Sequence, residues 1–237
     1  MRSELVEYTD GETTFEAYVA CDDKDGKHPC VVIAPAWAGV SDLEKVRANK
    51  LAEQGYLAIV LDVYGKGTRG DIEGDNTHLI APLLQDRKLL LKRLQAGIKT
   101  AKEHKLADAQ KMAAAGYCFG GLCVLDIARS GDADVKGVAS FHGLFVPPEG
   151  WDKKKISAKV LVLHGYDDPM ATPDSMTGLA SELTEAQADW QIHAYGNTVH
   201  AFTVVGANAP ERGVKYSASA DHRSWASFEN FLKEVIG

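Results

Sequence analysis

Gly116-Tyr-Cys-Phe-Gly-Gly121 stands between an apolar run at 111–117 and a helical pattern at 119–129. That is a glycine-x-nucleophile-x-glycine elbow with cysteine in the nucleophile's place, set where a strand hands over to a helix. Glycines two residues to either side let the backbone turn sharply, so the side chain between them stands above the sheet. A thiol there also meets the positive end of the helix dipole, which favours negative charge. Cys118 is therefore the candidate nucleophile, against the plainer reading of a buried cysteine in a glycine-rich turn.

Outward from the elbow, short β-branched runs alternate with longer helical patterns over the whole chain, which predicts an α/β fold: a mostly parallel twisted sheet with helices on both faces. Strands are expected at 13–20, 30–34, 56–61, 111–117, 135–141, 159–164 and 190–195. A capping box, Ser41-Asp-Leu-Glu44, starts a helix that runs to Gly55. A glycine- and charge-rich loop over 62–77 precedes one extended helix reaching about residue 105, and further helices fall at 119–129, 172–183 and 219–235. No linker or repeat interrupts 1–237, so a single domain is expected.

Composition narrows the function. Hydrophobic residues at 45% and charged residues at 25% are those of a globular enzyme or binding domain. A net charge of −7, with scattered lysines and arginines, gives no footprint for nucleic acid. The first residues, MRSELVEYTDG, carry no apolar leader, and no stretch is long enough to span a bilayer, so a cytoplasmic protein without membrane contact is expected, as a monomer or small homo-oligomer. In that setting Cys21, Cys30, Cys118 and Cys123 read as free thiols, with Cys21 and Cys30 packed as small hydrophobes on either side of a hairpin-like segment.

Two further stretches supply partners for the thiol. His164-Gly-Tyr-Asp-Asp-Pro169 follows an apolar strand and offers Asp168 or Asp167 as an orienting acid; the H-G-x-x-D spacing ends on Asp168. After the last expected strand, Tyr195-Gly-Asn-Thr-Val-His-Ala-Phe202 puts His200 in a loop that can reach both thiol and acid. The remaining histidines divide in two. His28, His78, His104, His193 and His222 read as surface residues, whereas His142 and His164 end strands as structural hydrogen-bonding groups. His164 with Asp168 lacks further ligands at metal spacing, so no metal is expected.

With these motifs in chain order, the sequence resembles the dienelactone hydrolase family, on Gly116-Tyr-Cys-Phe-Gly-Gly121, His164-Gly-Tyr-Asp-Asp168, His200-Ala-Phe202, Gly55-Tyr56 and Asp62-Val-Tyr64. The resemblance implies an α/β-hydrolase fold, a cysteine triad of Cys118, His200 and Asp168, an oxyanion hole from the backbone N–H groups of Trp37 and Phe119, and no cofactor. Two positions depart from the family. Ala36 stands where dienelactone hydrolases carry a glutamate that holds the resting thiol, and Val204 where they place a carboxylate-binding arginine. The second departure points away from dienelactone itself. Arg69 and Arg87, which could supply a positive group, read as solvated surface charges.

The expected reaction is cleavage of a small ester or lactone through a thioester. A thiolate leaves a tetrahedral intermediate more readily than an alkoxide, so activated esters, enol lactones and thioesters should turn over best, with phosphotriesters as side substrates. Trp37, Tyr64, Phe119, Phe145 and Phe202 are the candidate walls of an apolar acyl pocket. The rival class is a hydrolase fold without hydrolysis, either a ligand-binding protein, favoured if function survives Cys118→Ala, or a thiol redox protein, favoured if Cys118 pairs reversibly with Cys123.

Overall fold

The computed structural model describes residues 1–237 as two compact units, Met1–Ala114 and Ala115–Gly237. In the first unit β1 (Arg2–Thr9) and β2 (Thr14–Cys21) form an antiparallel hairpin, followed by β3 (His28–Ala34), α1 (Asp42–Glu53) and β4 (Leu57–Val60). Then come α2 (Thr77–Gln85), α3 (Arg87–Glu103) and β5 (Ala107–Tyr117), whose last residues belong to the second unit. Strand order here is β1-β2-β4-β3-β5. β3 and β4 run parallel, Cys30 opposite Leu57 and Ile33 opposite Val60. The residues of β3 read as a continuous apolar run because Cys30, Val31, Val32, Ile33 and Ala34 are all buried.

In the second unit α4 (Phe119–Arg129) leads to β6 (Gly137–Phe141), β7 (Lys159–Gly165), α5 (Pro173–Glu185) and β8 (Trp190–Tyr195). Two-residue strands β9 (Asn208–Ala209) and β10 (Val214–Lys215) pair with each other, and α6 (Ala218–Ile236) closes the chain. Strand order continues β5-β6-β7-β8, with β6, β7 and β8 parallel. All eleven residues of α4 are buried, including Asp126 and Arg129. These two bond each other at 3.3 Å, and Arg129 also forks onto Glu182 of α5 at 2.7 and 2.8 Å. A guanidinium needs such a set of acceptors before it can be buried.

The fold is thus the expected mostly parallel α/β arrangement, with departures at particular elements and residues. β1 was missed, because seven of its eight residues are exposed or half-buried and only Tyr8 is buried, so the run carries no apolar alternation. The single long helix is two helices: Asp86 breaks it, its carboxylate accepting the Leu89 N–H at 2.9 Å to cap α3. Two surface expectations also fail. Arg87 is buried on the face of α3 that carries Leu90 and Leu94, and His28 is buried with Nδ1 on the Gly55 carbonyl at 3.1 Å. Arg69 is partly covered as well, 3.4 Å from Asp62. No helix is long and apolar enough to cross a membrane.

Candidate active site

Cys118 takes φ 56° and ψ −116°, a backbone conformation that L-residues rarely adopt, between the end of β5 and the first turn of α4. The elbow is fixed from both sides. The Cys118 N–H donates to the Phe141 carbonyl at 3.0 Å, and the Gly121 N–H donates back to the Cys118 carbonyl at 2.9 Å. Glycine is required at 116 because a Cβ there would sit 2.0 Å from the Gly120 carbonyl oxygen, and at 121 because one would sit 2.6 Å from the Gly143 Cα. Of the four free cysteines, Cys118 is the one that is not buried.

Asp168 lies just past β7, and both of its carboxylate oxygens are used. Oδ1 accepts the Met170 N–H at 2.8 Å, and Oδ2 accepts the His200 Nδ1–H at 2.8 Å. Asp168 is buried, whereas Asp167 is exposed. Of the two aspartates, it is Asp168 that is both buried and bonded to His200. His200 itself is clamped by backbone on both sides, its N–H on the Gly213 carbonyl at 2.9 Å and its carbonyl on the Lys215 N–H at 3.1 Å. The short β10 is thus what holds the histidine loop, and two residues offer no periodicity from which to read it.

The other histidine nitrogen, Nε2, is buried without a hydrogen-bond partner, and the Cys118 thiol is near enough to act on the ring. Burial disfavours the imidazolium. The interaction with Cys118, and then that with Asp168, outweighs that penalty and raises the His200 pKa to about 10. The arrangement can hold a proton on the ring while negative charge resides on sulfur and carboxylate.

His142 and His164 are structural, as expected. His164 Nε2–H donates to the Ala171 carbonyl at 2.7 Å, and burial pushes its pKa down, which favours the uncharged ring. His142, at φ 36°, shares a 2.9 Å hydrogen bond with Thr203 and sets its ring 5.0 Å from that of His200 at 68°. Phe202 is fully buried and packs edge-on against His142 at 5.2 Å. It supports the histidine loop from beneath and offers no surface to a substrate, unlike the pocket wall expected of it. Phe119 is equally enclosed at the start of α4. Phe145 packs against His164 with ring centroids 4.6 Å apart and planes tilted by 53° and, with Trp151 and Leu179, lines a cavity of about 800 Å³ alongside α5.

Within the first unit, the loop after β3 that carries Trp37 is held at two points. The Tyr64 hydroxyl donates to the Trp37 carbonyl at 2.9 Å, and the buried Glu44 carboxylate accepts the Ala36 N–H at 3.0 Å besides the Ser41 N–H and hydroxyl. Glu44 was legible only as half of a capping box; its second task, on Ala36, depends on where the loop folds back. Burial pushes its pKa up against these hydrogen bonds.

Fold and elbow together define an α/β hydrolase. Residues 15–236 match the dienelactone hydrolase family. A dienelactone hydrolase-like promiscuous phosphotriesterase, P91, from metagenomic libraries is 34% identical, with a TM-score of 0.94 over 100% of this chain and 99% of its own. A probable 2-oxo-3-(5-oxofuran-2-ylidene)propanoate lactonase of Bradyrhizobium is 26% identical over 82% of this chain and 81% of its own length. A putative carboxymethylenebutenolidase of Yersinia pestis is 28% identical over 81% of this chain and 78% of its own. The chain belongs to the dienelactone hydrolase family, and it is a carboxylic ester hydrolase.

Proposed function

We propose that the protein hydrolyses small activated esters or lactones by covalent catalysis at Cys118. The observation that carries this reading is the bonded run from Asp168 Oδ2 through the His200 imidazole toward a thiol held in a strained elbow. His200 takes the Cys118 proton, and the thiolate attacks the acyl carbon to give a tetrahedral oxyanion. The Phe119 N–H, at the start of α4, is one donor to that oxyanion, and the family resemblance gives Trp37 as the other. Collapse breaks the bond to the leaving oxygen, which takes the proton from His200. A water deprotonated by the same histidine then opens the thioester, returning the acid product and the thiol. Asp168 orients the ring and stabilises its charged form without taking the proton.

A thiolate competes with the leaving group when the intermediate collapses, so aryl esters and enol lactones are better substrates than alkyl esters. The likeness to P91 supports a second activity on phosphotriesters, with phosphorus taking the place of the acyl carbon. The test is a burst assay with an aryl ester, following phenolate release and intact-protein mass. Wild type gains a transient acyl mass that Cys118→Ala lacks, and His200→Ala turns over at background; three proteins with equal rates would remove the thiol from the mechanism.

A further inference from the structure

Away from the elbow, three residues of the first unit converge where β2 ends and β3 begins. Cys21 closes β2, Asp22 follows it, and His28 opens β3. One ligand-type atom of each lies within 4.8 Å of the other two. His28 is 6% exposed, and its Nδ1 faces the Gly55 carbonyl at 3.1 Å. A carbonyl oxygen only accepts, so the ring proton is on Nδ1 and the lone pair on Nε2.

That Nε2 is buried without a hydrogen-bond partner. Asp22 Oδ1 stands 3.8 Å from it, too far for a hydrogen bond. It is close to the edge of a ligand tetrahedron, about 3.4 Å when metal–nitrogen and metal–oxygen bonds are those of zinc. The imidazole-to-carbonyl bond behind it is the outer-shell bond that metal-bound histidines commonly make.

We propose that Cys21, Asp22 and His28 form a three-ligand site for a divalent cation of the zinc class, with water as the fourth ligand. Thiolate and imidazole donors select against magnesium and calcium, which take oxygen sets. The Asp22 side chain, 18% exposed, supplies the way in from solvent. Around the site Lys24 Nζ is 3.7 Å from Asp22 Oδ2, Arg2 binds the Asp22 carbonyl, and the N-terminal ammonium pairs with Asp23. On binding, the Cys21 S–H breaks, its proton passes to buffer, and the sulfur–metal bond forms. The cation would join the two ends of the loop over 22–27.

The experiment uses the full-length protein carrying Cys118→Ala, which removes the partly exposed thiol, stripped by chelator and titrated with Co²⁺. The expected result is one equivalent bound, with a sulfur-to-cobalt charge-transfer band, tetrahedral visible absorption, and displacement by Zn²⁺. Cys21→Ser abolishes the charge-transfer band, and His28→Gln and Asp22→Asn each weaken binding by at least about tenfold. Absence of stoichiometric binding at micromolar Co²⁺, or a band that survives Cys21→Ser, overturns the site. Asp22 is on the surface side, so if Cys21→Ser fails to fold, Asp22→Asn decides, and unchanged affinity there overturns it equally.

Discussion

At Asp168 each carboxylate oxygen has its own partner: one holds the Met170 N–H and the other holds His200. Asp168→Asn keeps the shape but removes the charge that favours the imidazolium, and kcat/KM for an aryl ester at neutral pH should fall by about 10²- to 10⁴-fold while the fold persists by circular dichroism. Cys118 makes the opposite kind of prediction. Its φ of 56° and ψ of −116° suit glycine and strain every other residue, so Cys118→Gly should be inactive yet more stable than Cys118→Ala, by about 1 kcal/mol in urea unfolding. Equal stability of the two would mean that the elbow carries no strain. At this scale the proposed nucleophile and base were legible because glycine spacing and chain order are written in the sequence. Asp168, on which the H-G-x-x-D spacing ends, is told from Asp167 in the fold by burial and by the bond to His200, and the role of Phe202 turned on which side of the His200 loop its ring falls.

Elements were legible where their pattern was simple. The 119–129 helix and the 190–195 strand have the limits expected of them, since glycines and turn residues bound both. The break between α2 and α3 hangs on one side-chain oxygen, and the signal for it was overridden by a hydrophobic pattern that continues across it. Asp86→Ala should therefore cost about 1 kcal/mol, seen as a melting point lowered by roughly 2–4 °C. At the elbow the constraint is harder. Gly116→Ala drives a methyl into the Gly120 carbonyl and Gly121→Ala drives one into Gly143, both backbone, so neither can be relieved by a side-chain rotation. Each should lose activity together with about 1–3 kcal/mol of stability in thermal melts. Wild-type melting for both would show that strand, turn and helix are less tightly fitted than the distances state.

For the whole molecule, the protonation of one ring becomes a dependence of stability on pH. His200 titrates at about 10 when folded against 6.5 ordinarily, so the folded protein holds that proton more tightly than the unfolded chain does. The stabilisation is complete below about pH 6.5 and is lost as pH climbs through about 10. The melting point of wild type relative to His200→Gln should fall across that window, and fall less in a Cys118→Ala background, because the thiol is the largest of the groups raising the histidine. A flat difference would refute the charged pair. The α/β class itself was readable from alternation of runs, but the strand that was not readable has its own consequence. β1 ends the strand order and presents Arg2, Glu4 and Glu7 outward, Glu4 against His104 at 3.2 Å and Glu7 against Lys66 at 2.5 Å. The same charges that hid the strand from a pattern search keep its open ladder of backbone groups from recruiting a strand of another molecule, so a chain with Glu4 and Glu7 replaced by threonine would fold as before and then grow into fibres.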